Sequence, residues 1–107
     1  MTKPNSTLTA EYLRSILHYD AETGIFTRLI STSSRARSGS IAGTVTGWGY
    51  LSININHRDY LAHRLAWFYV HGVWPKDQID HIDEDRMNNR LSNLREATRG
   101  QNAQNVH

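Results

Sequence analysis

The apolar positions of the chain fall into short blocks with two different periods. Over Ala10–His18, Leu13, Ile16 and Leu17 make a one-sided stripe at helical spacing. Thr9 stands where a helix is capped and Glu11 falls in its first turn, so a short helix is predicted there. Residues 19–24 (YDAETG) read as a turn, with Gly24 free to take positive φ. Ile25–Ile30 reads as a strand, Ser31–Ser40 as a Ser- and Arg-rich loop, and Ile41–Thr46 as a second short strand. Beyond the turn Gly47-Trp48-Gly49, Tyr50–Asn56 alternates strictly, with Leu51, Ile53 and Ile55 on one face and Ser52 and Asn54 on the other. Asn56–Asp59 turns the chain into a returning strand around Tyr60–Ala62. His63–His71 is apolar nearly all round, which predicts a buried helix stopped at Gly72, with Trp74-Pro75 blocking any continuation.

The last third changes character. Gln78–Ile82 reads as a strand, Asp83–Arg90 as a polar loop, and Leu91–Glu96 as a turn and a returning strand. Thr98 and Gln101 have the spacing of a capping box, so a further helix is expected to start near Arg99. The expected fold is α+β, with antiparallel strands and short helices ahead of a C-terminal strand–loop–strand–helix unit. Its 107 residues give one domain over 1–107, with a helix and strands in 10–46 and the hairpin, buried helix and terminal unit in 47–107.

Composition narrows the function classes. A hydrophobic share of 38%, with three Trp, five Tyr and two Phe, is globular and argues against wholesale disorder. The absence of cysteine removes disulfides, thiolate zinc sites and cysteine nucleophiles together. No apolar run approaches the roughly 18 residues of a membrane helix, and the first six residues have no apolar core behind them as a signal peptide would. A soluble, cytoplasmic protein without a membrane partner is therefore expected. The net charge of +2, 12 basic against 10 acidic residues, says little, but its distribution says more. Residues 28–71 hold five Arg and one acid, Asp59, whereas four acids crowd into Asp80–Asp85. A basic middle beside an acidic knot suits an enzyme that grips phosphate and holds a metal, although ordinary surface charge would look the same.

Asp80, His81, Asn93 and Asn102 stand out as candidate chemistry. If the terminal hairpin closes and the helix packs across it, the three elements bring them to one point. A carboxylate and an amide oxygen are hard ligands suited to Mg²⁺ or Mn²⁺. An imidazole is the usual general base near neutral pH, and an amide oxygen can hold its other nitrogen. Neighbours on a regular strand face opposite ways, so for Asp80 and His81 to share a site the strand must bulge or end there, or the two must reach around an edge.

Asp80-His81-Ile82-Asp83, Asn88-Asn89-Arg90, Asn93-Leu94-Arg95, Ala97-Thr98 and Gln101-Asn102 together resemble the signature of HNH endonucleases, in the phage and intron homing branch. Gly49-Tyr50-Leu51, Tyr60, His63–Trp67, Tyr19-Asp20 and Thr23–Phe26 extend that resemblance upstream to about residue 10. The resemblance implies a ββα-metal (His-Me finger) fold and hydrolysis of DNA to 5′-phosphate and 3′-hydroxyl ends. It implies His81 as general base, Asn93 as the residue that orients it, and Asp80 and Asn102 as ligands of one divalent ion, Mg²⁺ or Mn²⁺. The partner is double-stranded DNA, a monomer is favoured, and the branch suggests a phage-encoded protein in a bacterial host. Two departures stand beside it. Asn102 occupies the position that the family name gives to His, as in the homing branch, and the chain stops at His107 where such proteins often continue into a DNA-binding module, so weak and poorly specific binding is expected. The alternative is a DNA-binding module that keeps the fold without cutting.

The remaining polar residues are weighed against structural roles. Arg90, Arg95 and Arg99 flank the site and lean towards phosphate contacts; Arg64 joins them, and Arg35 and Arg37 are as well suited to solvating their loop. His63, opening a buried helix, is expected to be a structural hydrogen-bonder, Asn88-Asn89 to turn the chain, Trp67 to be core, and Trp48 to stand apart between its glycines. Asp83–Asp85 is not an EF-hand loop, because Met87 and Leu94 fall where ligands are needed.

Overall fold

The computed structural model describes residues 8–97. Thr9 accepts a hydrogen bond from the Tyr12 N–H at 3.1 Å and starts α1 (Ala10–Ile16), whose fully buried residue is Leu13. The helix ends two residues earlier than its apolar stripe predicts. Leu17 is extended and opens β1 (Leu17–Asp20), which pairs antiparallel with β2 (Ile25–Arg28). The local pattern favoured a longer helix, and the pairing of Leu17 with Arg28 and His18 with Thr27 overrides it.

The strand expected at Ile41–Thr46 is reduced to a bridge between Thr27 and Ile41 and a two-residue β3 (Thr44–Val45). It borders β4 (Leu51–Ile55), which pairs with β5 (Arg58–Leu61) in the register Ile53 opposite Tyr60. Ile53 and Ile55 are buried and Asn54 is exposed, as the alternation predicts. The turn between these strands places Asn56 and His57 at positive φ. The second helix, α2 (Ala62–His71), is stopped by Gly72 at φ 79°. It buries Ala62, His63, Leu65, Ala66 and Phe68 but leaves Val70 exposed, so it is less enclosed than its composition suggests. Trp67 is half-buried, its ring against His71 rather than in the core centre.

The last sheet pairs β6 (Gln78–His81) with β7 (Leu94–Ala97), and the strand stops at His81, one residue short of the expected end. Between them run the loop 82–90 and a 3-10 turn, Leu91–Asn93. One hydrophobic cluster joins all of these: Leu13 of α1, Tyr19 and Phe26 of the first hairpin, Ile53 and Ile55, Leu65 and Phe68, and Ile79 and Leu94 of the last sheet. The expected α+β architecture with antiparallel strands is the one observed. No helix among the described residues is long and apolar enough to cross a membrane. The helix expected from Thr98 lies outside the described residues.

Candidate active site

The site is built at the end of β6. Ile79 and His81 point to the buried face, with His81 only 6% exposed, while Asp80 points the other way and pairs across the strands with Arg95. Because the strand ends at His81, a hollow of about 350 Å³ reaches both residues; Tyr50, Ile79, Glu84 and Arg86 complete its lining. Of the ways open to neighbouring residues for reaching one site, it is the strand end that is seen here.

The His81 ring is held through Nε2, 2.9 Å from Oδ1 of Asn89. An amide oxygen can only accept, so Nε2 carries the proton and Nδ1 is left with the lone pair. Asn89 is 2% exposed. Its position in the chain predicts a turn former, and no spacing rule separates it from Asn88; the contact depends on the loop folding back over eight residues.

Asn93 is close by but does a different job. Its Nδ2 donates to Oδ1 of Asp83 and to the carbonyl of Asn88, both at 2.9 Å, and its Oδ1 accepts from the Asp83 N–H at 3.0 Å. Its backbone carbonyl accepts from the Ile82 N–H. Asn93 thus ties together the loop that carries Asn89, and no hydrogen bond joins its side chain to His81 among the described residues. Asp83 is the loop's other hub. The Asn88 side chain, the Asp85 N–H and Asn93 all donate to its carboxylate, which holds its pKa below the usual carboxylate range.

Asp80 presents a half-exposed carboxylate. Arg95 donates to its Oδ2 from Nε at 3.1 Å and from Nη2 at 2.9 Å. With the two side chains 37% and 50% exposed, such a pair is worth roughly 0.2–1 kcal/mol and is cheaply exchanged for a cation. Among the described residues no group of three His, Cys, Asp or Glu could hold a metal ion. The Asp80 carboxylate in the lining of the hollow is a hard oxygen donor of the kind divalent cations take. Asn102, the second expected ligand, lies outside the described residues, as does Arg99.

The cations expected at phosphate divide into two groups. Arg90 donates to the Glu22 carbonyl and to Oδ1 of Asn88, and Arg64 to the Asp77 carbonyl, so both brace the backbone. Arg35 is exposed on its loop, and the exposed Arg37 donates from Nε to the Ser34 carbonyl. The cation at the mouth of the hollow is instead Arg86, donating to the Trp48 carbonyl at 2.6 Å and lying 5.0 Å from the Tyr50 ring centroid. The sequence offers no signal for it, since it reaches the site across 38 residues.

His63 lies behind His81, their ring centroids 4.9 Å apart and edge to face, with Tyr50 5.3 Å away on the same ring. Burial, with the charges of His81 and Arg64 adding to it, lowers its pKa to about 4. No hydrogen bond to its side chain is found among the described residues, so its expected role as a hydrogen-bonder gives way to ring packing.

A buried histidine held at a strand end with a carboxylate beside it places a candidate general base next to a hard oxygen donor. Residues 60–104 match the family model described as HNH endonuclease, which contains β6, the loop and β7. The resemblance drawn from Asp80-His81 and the motifs after it is thereby shown. Among solved structures, the fold is similar to that in "DNA binding and cleavage by the HNH homing endonuclease I-HmuI", with a TM-score of 0.61 at 22% identity. The match covers 84% of this chain and 51% of that one, so the chain spans about half the length of that protein. Comparison with curated proteins gives no match.

Proposed function

We propose that the protein is a divalent-metal-dependent DNA endonuclease that hydrolyses phosphodiester bonds. The observation that carries this is the His81 ring, buried at a strand end and fixed through Nε2 by Asn89 beside the Asp80 carboxylate. The family match and the homing endonuclease neighbour support the same reading. His81 accepts through Nδ1 the proton of a water that attacks phosphorus; the P–O3′ bond breaks, leaving a 5′-phosphate and a 3′ oxygen that takes a proton from solvent. Asp80 and Asn102 would hold the ion, Mg²⁺ or Mn²⁺, which would supply charge stabilisation to the phosphate and the leaving oxygen. Asn93 keeps the loop closed. Arg86 and Arg95 at the site, together with Arg90, Arg99, Arg64, Arg35 and Arg37, supply cations for the duplex backbone.

Supercoiled plasmid incubated with Mg²⁺, Mn²⁺ or EDTA tests the proposal. Conversion to nicked or linear DNA with either ion, abolished by EDTA, is expected, with ends that ligase reseals. Stable DNA binding without cleavage under any of these ions would support the alternative, a binding module in which Arg95 has taken over the Asp80 carboxylate.

A further inference from the structure

The motif Tyr19-Asp20, Thr23–Phe26 lies in the first hairpin, with Tyr19 70 residues along the chain from its partner Asn89, and the nuclease reading gives it no task. Its turn is tightly built. Oδ1 of Asp20 accepts from the Glu22 N–H, the Asp20 carbonyl accepts from the N–H of Gly24 at 2.7 Å, and Oγ1 of Thr23 accepts from the Ile25 N–H. The turn then clamps the catalytic loop at three consecutive residues. The Tyr19 hydroxyl donates to the Asn89 carbonyl at 2.5 Å, Nε of Arg90 donates to the Glu22 carbonyl at 2.9 Å, and the Leu91 N–H donates to the Ala21 carbonyl at 3.1 Å. Gly24 sits at φ +77°, and a Cβ there would lie 2.5 Å from both the Arg90 nitrogen and the Asn89 carbonyl carbon. Only glycine permits the approach, for conformation and for space.

Resting on the nuclease reading, we propose that the first hairpin is a positioning element for the general base: Tyr19 and Gly24 hold the Asn89 backbone where its side chain fixes the His81 ring. Asn89 is enclosed from both ends, its carbonyl on Tyr19 and its Oδ1 on His81, so a shift at the hairpin moves the acceptor that selects the tautomer. The Tyr19 hydroxyl is a dependable donor, because burial and the neighbouring Asp20 charge raise its pKa to about 12. The hairpin touches no reacting atom in this account; Asn89, Tyr19 and Gly24 are positioning residues.

The test is made on the full chain with Tyr19→Phe, Gly24→Ala and Asn89→Leu, with Asn89→Asp as the conservative variant that keeps an acceptor. Nitrogen NMR of His81 at pH 8 in chelator reads the tautomer without any cleavage. Wild type should show a single Nε2–H form, Asn89→Leu a mixture, and Asn89→Asp the wild-type form. Tyr19→Phe, which keeps the ring, should stay folded, shift towards the mixture, and cut roughly 10-fold or more slowly at unchanged DNA affinity, the usual loss when a partner that orients a functional histidine is disturbed. Gly24→Ala should do the same if it folds. An unchanged tautomer and unchanged cleavage in folded Tyr19→Phe would overturn the proposal. Loss of cleavage in wild type with the single tautomer intact would instead count against the nuclease reading alone.

Discussion

His63 shows how much one side chain can say about the site. It occupies the first turn of α2, where its neighbours are apolar, and its ring packs on His81 and Tyr50. Burial keeps it neutral near pH 7, so it places no positive charge beside His81. The sign of the linkage follows. A histidine with pKa about 4 in the fold and 6.5 unfolded stabilises the protein fully above pH 6.5, and that stability is lost as pH falls from 6.5 through 4. Between pH 7 and pH 4.5 the urea midpoint should fall by the equivalent of about 2–3 kcal/mol from this group. His63→Phe should flatten the dependence over that range; a profile as steep as wild type would show that other groups set it. At this scale the sequence was legible where the cause is local: the Thr9 cap follows from its next three residues. It was silent on Asn89 and Arg86, whose partners lie 8 and 38 residues away.

Among the elements, the alternation of β4 was read correctly because one face of that strand is buried and the other is not. The boundaries that moved did so for tertiary reasons. Leu17 leaves α1 to pair with Arg28, β3 shrinks to two residues as the chain from Ile41 bridges Thr27 instead, and β6 stops at His81 as its carbonyl accepts from the Glu84 N–H. The last of these matters for function. Asp80 and His81 stay on opposite faces of β6, and because the strand stops at His81 one hollow at its end reaches both. The loop that follows is polar by composition, yet it is ordered by its own side chains. Asp83, Asn88 and Asn93 cross-brace it, and their pairing could be suspected from residue type but not assigned from spacing.

Over the whole molecule, the charges that can reach a duplex are mostly of the kind that contacts phosphate, and neither helix is offered as a reading head. Helix α2 packs its side on the core through Leu65, Ala66 and Phe68, and α1 is seven residues long. DNA affinity should therefore be weak, largely independent of sequence and steeply dependent on salt. For roughly four neutralised phosphates, log K falls against log salt with a slope near −3.6. Replacing Arg35 and Arg37 together with Ala should flatten that slope if their exposed loop lies on the duplex, as proposed, and an unchanged slope would remove them from the interface.

The central claim is that His81 is the base of a hydrolytic site, and supercoiled-plasmid cleavage by His81→Ala tests it most directly, beside wild type in the ion that supports cutting. The account predicts a rate lower by about 10²–10⁴-fold, the usual contribution of general-base catalysis, with DNA affinity and melting behaviour close to wild type. A His81→Ala protein that cuts within a few-fold of wild type would contradict it.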